Sequence, residues 1–492
     1  MNTTELIQKY LDVWNERDAA VREALMKEVL TEDSVYSDPD YAGLHGHAAL
    51  SDAIHNAHEK LGDLRFTLDT VIGVHHDRAL FRWRLGTAAT GYDVVEFSGE
   101  RVQKRPGLLR MSGWSAAWTT SPQRPGASFA PNWSEEGFRD QSVRQTVRLS
   151  VGGDSLRVRL TNRYGTVPLQ VAGASVAATA GRAAVRSGTV QELAVDGKPS
   201  FAVPPGADLA TDPVEFATSA QDAVTITMYL AEPSGPATYH AQALATTFRA
   251  RGDQLVHSGS EPFTETSQSW YYLSGVDVTG ASGDGIMVLG DSLVDGTGGT
   301  PDTDHRFPDL LARRLIAARR PRAVLNQGIG GNRVTVDSPS LGDRATVRFD
   351  LDVLSQPGVS TVIVLAGIND IAISEIADES PFPVLAPYTE VSADEVIAGH
   401  RDMIARARAA DLRTVGTTLP PMRGSAFSTA RSEAERTTLN TWIRESGEYD
   451  AVIDLARAMG DVLAPAHDSG DHLHPSDAGY QAMADAVDLT VL

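Results

Sequence analysis

The sequence predicts a multidomain protein with an α+β domain, then a β-sandwich, then a three-layer α/β/α domain. The chain has 492 residues, which suffices for about three domains of roughly 150 residues each. The pattern of predicted helices and strands changes twice along the chain. Helices precede alternating strands, short strands with Gly and Pro turns follow, and strands alternating with helices come last. The expected boundaries are 1–110, 112–283 and 284–492.

Composition excludes several function classes. The absence of cysteine excludes disulfide scaffolds, zinc fingers, iron–sulfur sites and thiol catalysis. A formal net charge of −21 repels phosphate backbones, so we expect no nucleic-acid partner. No apolar run approaches the roughly 20 residues that span a bilayer, so we expect no membrane span. The amino terminus has the pattern of a helix and not of a secretory signal, which predicts a cytoplasmic protein.

The first region, 1–110, combines helical periodicity with alternating strands. Apolar residues recur at helical spacing near the amino terminus: Leu6, Ile7, Tyr10, Leu11, Val13 and Trp14. A second helical stretch ends at Gly62, and alternating segments follow it. Histidines crowd this region without the spacing of a known ligand set, so we predict ordinary histidines and no metal site. Asp38 precedes Pro39, which favours a turn role over acid/base chemistry.

The middle region, 112–283, alternates apolar with polar residues in short segments separated by turn residues. This pattern favours a β-sandwich. The letters GDSL occur here at 153–156, between two alternating segments, and this position predicts a hairpin turn.

The last region, 284–492, has short apolar segments of the kind found in buried parallel strands, with helical stretches between them. The segments are GIMVLG (285–290), AVLNQG (323–328), TVIVLAG (361–367), RTVGTTL (413–419) and AVIDL (451–455). This β–α alternation predicts an α/β/α domain, in which ligands bind at the carboxyl ends of the strands.

Four segments in this region carry residues suited to acyl transfer. They are GDSLVDG (290–296), NQGIGGN (326–332), AGIND (366–370) and DHLHP (471–475). Serine needs an adjacent base, histidine suits that role near neutral pH, and a carboxylate fixes the imidazole tautomer. An oxyanion also needs hydrogen-bond donors that face it.

These requirements give each side chain a predicted role. Ser292 is the nucleophile, His474 is the general base and then the general acid, and Asp471 orients His474. The backbone N–H groups of Ser292 and Gly331, with the side-chain amide of Asn369, form the oxyanion hole. A glycine at 331 lets an N–H approach the reacting oxygen closely.

Other residues near these segments have alternative interpretations. His472 competes with His474 for the base role, but Ser469 and not an Asp stands three residues before it. Asn332 and Asp295 are candidates for substrate contact, although a turn role is the simpler interpretation of Asp295. Arg333 is interpreted equally well as a substrate contact or as a solvated surface residue.

At the four segments the chain resembles the GDSL, or SGNH, hydrolase family, whose blocks supply a Ser, a Gly, an Asn and a His with an Asp three residues earlier. The resemblance covers about the last 210 residues. It implies a flavodoxin-like fold and ester hydrolysis through an acyl-enzyme, with no metal and no cofactor.

Two further resemblances concern the other regions. SGWSAAWTTSP (112–122) and SWYYLSGVDV (269–278) are similar to the β-rich amino-terminal domain of certain actinobacterial members, for which we expect a jelly-roll-like sandwich. WNERD (14–18), the segment 36–54 and the segment 84–102 resemble the SnoaL-like, or nuclear-transport-factor-like, cone fold. Domains of that fold surround an apolar pocket and often pair, which implies a homodimer.

Three functions therefore stand as hypotheses. The first is hydrolysis of a small-molecule carboxylic ester, lactones and acetyl esters included. The second is a deacetylase or acyltransferase of carbohydrate or natural-product metabolism that uses the same site. The third places the activity in the cone domain, as a ligand-binding or cyclase module.

Overall fold

The computed structural model describes residues 3–36, 44–61, 64–75, 78–85, 89–98, 101–102, 114–281, 284–376 and 383–492. The chain divides into two compact units, residues 1–111 and residues 112–492. Within the described ranges, no helix combines the length and the apolarity that crossing a bilayer requires.

The first unit has helices packed with an antiparallel sheet. Its helices are α1 (Thr3–Asn15), α2 (Ala19–Val29) and α3 (Gly46–Leu61). Its strands are β1 (Val35–Tyr36), β2 (Leu44–His45), β3 (Phe66–His75), β4 (Arg78–Leu85), β5 (Ala89–Ser98) and β6 (Arg101–Val102). The strands β3, β4, β5 and β6 form a sheet in chain order, and β1 pairs with β2.

Helical periodicity explains the core of this unit. The apolar residues predicted to face inward on α1 are all buried there, which confirms the helix. The Asp18 carboxylate accepts hydrogen bonds from the backbone N–H groups of Ala20 and Val21 and so caps α2. His47 and His58 each place a ring nitrogen on a backbone carbonyl, as ordinary structural histidines do. Asp38 lies outside the described residues.

Residues 114–281 are rich in strands. These strands are β7 (Trp114–Thr119), β8 (Gln141–Arg148), β9 (Gly153–Thr161), β10 (Leu169–Val171), β11 (Gly173–Gly181), β12 (Ala184–Val185), β13 (Gln191–Leu193), β14 (Phe201–Val203), β15 (Asp208–Ala210), β16 (Val214–Thr218), β17 (Ala223–Leu230), β18 (Tyr239–His240), β19 (Thr247–Arg251), β20 (Glu265–Ser267), β21 (Trp270–Tyr271) and β22 (Leu273–Thr279). Two larger antiparallel sheets run β12-β11-β17-β8-β19-β20 and β15-β9-β22-β7.

The first GDSL segment is part of a strand. Residues 153–156 were expected to form a hairpin turn, but Gly153 is the first residue of β9 and Ser155 pairs with Glu215 of β16. The hairpin prediction was wrong, because the flanking strands lie in different sheets: β8 pairs with β17 and β19, and β9 pairs with β15, β16 and β22.

The last region alternates strands with helices. In chain order these are β23 (Gly285–Gly290), α4 (Ser292–Asp295), α5 (Phe307–Ala317), β24 (Val324–Gly328), α6 (Ala345–Phe349), β25 (Val359–Leu365), α7 (Ile368–Ile373), α8 (Ala393–Ala409), β26 (Arg413–Thr417), α9 (Ala430–Glu445), β27 (Ala451–Ile453), α10 (Leu455–Met459) and α11 (Asp477–Asp485). A π-helical turn follows α6 at Asp350–Leu354, and 3-10 turns lie at Pro383–Leu385 and Leu489–Val491.

The strands of this region form a parallel sheet in the order β24-β23-β25-β26-β27. Gly290 pairs with Gly328 and with Leu365, so three strands end at the same level. The chain reverses its direction along the sheet between β24 and β25, and ligands bind at such switch points. One apolar core joins this sheet to the β-rich region, which explains why residues 112–492 form a single compact unit.

Candidate active site

The segment after β23 places a serine at the start of a very short helix. A side chain at Gly290 would bring its Cβ within 2.2 Å of the Leu365 carbonyl oxygen, so only glycine fits where these strands end. Asp291 accepts a hydrogen bond from the backbone N–H of Leu293 and caps α4. Ser292 is therefore the first helical residue and is only 5% exposed.

Ser292, His474 and Asp471 form one hydrogen-bonded chain. The Ser292 Oγ atom lies 2.9 Å from His474 Nε2, and His474 Nδ1 lies 2.6 Å from Asp471 Oδ2. The other carboxylate oxygen, Oδ1, accepts hydrogen bonds from the backbone N–H groups of Leu473 and His474. Two residues near the carboxyl terminus are thereby brought to a serine about 180 residues earlier. An imidazole held in this way can accept the hydroxyl proton.

The electrostatics of Asp471 favour its ionised form. Partial burial raises the pKa of this carboxyl, but the hydrogen bonds from the His474 ring and from backbone N–H groups outweigh burial and hold the pKa far below its usual range. Asp471 therefore stays charged at neutral pH, as a group that stabilises an imidazolium must.

The competing histidine is paired elsewhere. His472 Nδ1 lies 2.6 Å from Asp468 Oδ2, and the His472 side chain is 56% exposed. Asp468 also accepts hydrogen bonds from the backbone N–H groups of Gly470 and His472, as expected for a residue that caps a loop. The structure thus separates two Asp–His pairs in one loop, and of these two histidines His474 is the one within hydrogen-bonding distance of the Ser292 hydroxyl.

The predicted oxyanion donors lie on neighbouring segments. Asn369 is in the first turn of α7, and its Nδ2 donates to the backbone carbonyl of Asn332 at 3.2 Å. Gly331 has a φ of +77°, and a Cβ there would lie 2.8 Å from Leu341 Cδ2. The sequence interpretation explained this glycine by close approach to the reacting oxygen. The structure adds a left-handed backbone and the packing of Leu341.

Asn332 and Asp295 are engaged by protein groups. The side-chain amide of Asn332 donates to the carbonyls of Leu341 and Asp343 and accepts from Arg348 Nε. Its nitrogen and its oxygen are therefore both engaged by protein groups. Asp295 accepts from the backbone N–H of Gly330 and faces a histidine ring on its other oxygen. Both side chains are buried. This geometry favours a role in holding the glycine loop over the predicted contact with substrate.

Arg333 and Asp370 also lie behind this loop. Arg333 was interpreted equally well as a substrate contact or as a solvated surface residue. It is 1% exposed, which contradicts the solvated surface, and its Nη1 donates to the carbonyl of Pro387. The Asp370 carboxylate accepts backbone hydrogen bonds from Val334 and Thr335. Burial raises the pKa of Asp370, and these backbone donors oppose that effect.

Sequence reasoning missed a buried arginine that holds several of these segments together. Arg348 is 4% exposed. Its guanidinium donates to Asn332 Oδ1 (3.0 Å), the Gly290 carbonyl (2.8 Å), the Gln327 carbonyl (2.9 Å), Ser121 Oγ (2.9 Å) and Asp352 Oδ2 (2.9 Å). Most of these partners are backbone carbonyls or distant in sequence, so no local motif could have revealed the residue.

The buried Asp291 carboxyl gives a testable dependence of stability on pH. Its Oδ2 atom has no hydrogen-bond partner among the described residues, and burial raises its pKa to about 7. In an unfolded chain the pKa is about 3.9, so between these values the folded protein binds a proton that the unfolded chain has lost. Ionisation of Asp291 with rising pH therefore costs stability.

We expect Asp291→Asn, which cannot ionise, to gain stability relative to the parent as the pH rises from 5 to 8. The gain should be on the order of 1–3 kcal/mol in the free energy of unfolding. Denaturant unfolding of both proteins at the two pH values measures it. An unchanged difference between the proteins across this range would show that Asp291 ionises normally.

Two segments of the chain match known protein families. Residues 288–482 match the GDSL-like lipase/acylhydrolase family, and residues 7–104 match the SnoaL-like domain. No curated protein matches the chain.

Three solved structures are among those similar to parts of the chain. A SnoaL-like family protein from Agrobacterium tumefaciens is 31% identical over 20% of this chain and 90% of its own, with a TM-score of 0.19. A G-D-S-L family protein from Desulfitobacterium hafniense is 20% identical over 42% of this chain and 98% of its own, with a TM-score of 0.32. An acetylxylan esterase from Geobacillus stearothermophilus, solved as a catalytic mutant, is 22% identical over 42% and 93%, also with a TM-score of 0.32. The chain therefore carries a SnoaL-like domain at 7–104 followed by a domain of the GDSL-like lipase/acylhydrolase family at 288–482.

Proposed function

We propose that this protein hydrolyses carboxylic esters of small molecules through an acyl-enzyme formed on Ser292. The observation that carries the proposal is the hydrogen-bonded chain from Ser292 Oγ through the His474 ring to the Asp471 carboxylate. Nucleophilic acyl transfer requires a hydroxyl, a base that is hydrogen-bonded to it, and an ionised group that orients the base.

The reaction has two halves. In the first, His474 Nε2 takes the proton of Ser292 as Oγ attacks the ester carbonyl carbon, and His474 then returns that proton to the leaving alkoxide. In the second, His474 takes a proton from water, the hydroxide attacks the acyl carbon, and Ser292 leaves with the proton. Asp471 keeps the ring in the required tautomer throughout and stabilises the imidazolium.

The tetrahedral intermediate needs donors for its oxygen. We assign these to the backbone N–H groups of Ser292 and Gly331 and to the side-chain amide of Asn369. The hydrogen bond from Asn369 to Asn332 supports this assignment because it holds the amide against the loop that contains Gly331. Each such donor is worth about 10²- to 10³-fold in rate.

The same acyl-enzyme can pass its acyl group to a sugar or natural-product hydroxyl in place of water. This second candidate differs from the first only in the acceptor. Product analysis with a competing alcohol distinguishes the two: hydrolysis releases the free acid at a constant yield, and transfer diverts the acyl group into a new ester as the alcohol concentration rises.

We further infer three structural domains at 1–110, 112–283 and 284–492. The second would be a jelly-roll-like β-sandwich, and the third a flavodoxin-like three-layer domain. The strand order β24-β23-β25-β26-β27, with helices between successive strands, supports the layering. The first domain would recruit substrate or pair with a second copy of the chain, and homodimerisation stays a prediction.

An ester panel tests the proposal and its main alternative together. We expect the full chain to hydrolyse short-chain nitrophenyl esters, and a sugar acetate and a lactone extend the panel. Residues 112–492 form their own compact unit and contain every residue assigned a role. We therefore expect this shorter chain to retain nitrophenyl ester hydrolysis within about threefold, since no reacting group is removed. Loss of activity in the shorter chain alone would favour the hypothesis that places the chemistry in the first domain.

A further inference from the structure

A buried histidine is one of the residues through which the β-rich region contacts the catalytic loops. His240, the last residue of β18, is 2% exposed and stacks on Trp270 with ring centroids 5.6 Å apart. Its Nδ1 lies 3.0 Å from the carbonyl oxygen of Ser121, and its Nε2 lies 3.0 Å from Asp295 Oδ1. The partner carboxylate belongs to α4, the helix that begins with Ser292.

The hydrogen-bond partners fix the charge of this ring. A backbone carbonyl and a carboxylate oxygen both accept hydrogen bonds and donate none, so both ring nitrogens carry hydrogen and His240 is an imidazolium. Burial lowers the pKa of His240, but the facing charge of Asp295 and hydrogen bonds outweigh it, and the pKa lies above its ordinary value. The result is a buried ion pair between the β-rich region and α4.

The second oxygen of Asp295 holds the glycine loop. Asp295 Oδ2 accepts the backbone N–H of Gly330 at 2.9 Å, one residue before the proposed oxyanion donor Gly331. The β-rich region also packs directly on this glycine, because a Cβ at Gly330 would lie 2.2 Å from Gln242 Oε1. Asp295 thus ties the serine helix to the glycine loop.

We propose that His240 is a positioning residue that orients Asp295. Asp295 in turn fixes α4 against the loop at Gly330–Gly331, so that the backbone N–H groups of Ser292 and Gly331 face the same oxyanion. The inference rests on the proposed function and extends it to a residue outside the family domain. Removing His240 leaves the carboxylate buried with an unpaired charge. It then rotates toward water or other donors and releases the Gly330 N–H. Since the oxyanion forms only in the transition state, the loss falls on kcat and leaves KM unchanged.

Two substitutions at His240 test this inference. Glutamine can place its amide nitrogen near the position of Nε2 and still donate to Asp295, whereas asparagine can replace only Nδ1, which faces Ser121. With p-nitrophenyl acetate we expect His240→Asn to lower kcat about 10- to 100-fold and His240→Gln to lower it less than about fivefold, with KM changed in neither. The same substitutions at His257, an exposed histidine paired with Glu261, should change neither constant.

The variant Asp295→Asn keeps the test valid if a histidine variant fails to fold. It removes one of the two carboxylate oxygens, so we expect a kcat loss of about 10-fold or more. Adding His240→Asn to it should lower kcat no further, because both changes act through one contact. Equal kcat losses in the Asn and Gln variants at 240, or additive losses with Asp295→Asn, would overturn the inference. Full activity in Ser292→Ala would overturn the proposed function instead, whatever His240 does.

Discussion

Hydrolysis of p-nitrophenyl acetate is expected to fall by about 10⁴-fold or more in kcat/KM when Ser292 is replaced by alanine. Without the hydroxyl no acyl-enzyme forms, and His474 has no proton to take from this position. The oxyanion donors stay in place, so a small residual rate above that in buffer is expected. The Ser292 hydroxyl is hydrogen-bonded to the His474 ring, and the loss of this one hydrogen bond should leave thermal stability close to that of the parent.

The chain supplies a matched control for this substitution. Ser155 occupies the same position in the same four letters, GDSL, but lies in strand β9 and pairs with Glu215. We expect Ser155→Ala to keep kcat/KM within about twofold of the parent, as a surface strand substitution should. Equal activity in the parent and in the Ser292 variant would contradict the proposed nucleophile.

The second large effect is expected at Asp471. In Asp471→Asn the amide N–H₂ can face His474 Nδ1, which moves the ring proton to Nε2 and leaves no acceptor for the Ser292 proton. A loss of about 10²- to 10⁴-fold in kcat follows from such a wrong tautomer. The range extends down to 10²-fold because the Asp471 side chain is 52% exposed, so water screens its interaction with His474.

Asp468→Asn is the control for that prediction. Asp468 also faces a histidine ring in the same loop, at the same 2.6 Å distance, but its partner is the exposed His472. We expect this variant to retain kcat within about threefold, since the substitution changes only a residue that caps a loop. If the two aspartate variants lost activity equally, the loop as a whole and not the His474 tautomer would control the rate.

The site could be predicted from sequence because its residues stand in short segments at strand ends. Ser292, Asn369 and His474 each follow a strand or lie in a terminal loop of the parallel sheet. The structure brings Ser292 and His474 within hydrogen-bonding distance and places Asn369 against Asn332, next to Gly331. The two GDSL segments differ in the structure: the second places Ser292 at a helix start beside His474, and the first begins a strand and does not form the predicted turn.

The supporting residues could not be predicted in the same way. His240 meets Asp295 from 55 residues away, and Arg348 meets Ser121 from 227 residues away. Some of their partners are backbone carbonyls, which every sequence supplies everywhere. Arg333 could not be placed from its charge, which fitted a substrate contact and a solvated surface equally well, and its side chain is buried. Burial and long-range pairing depend on how the β-rich region packs against the sheet, and that packing leaves no local pattern.

Covalent capture of the nucleophile tests the central claim most directly. A serine-directed fluorophosphonate should inactivate the full chain with one label per chain, and peptide mass spectrometry should place that label on Ser292. The label should be absent from Ser292→Ala and should form much more slowly on Asp471→Asn. A label on any other serine, or undiminished labelling of the Ser292 variant, would contradict the account.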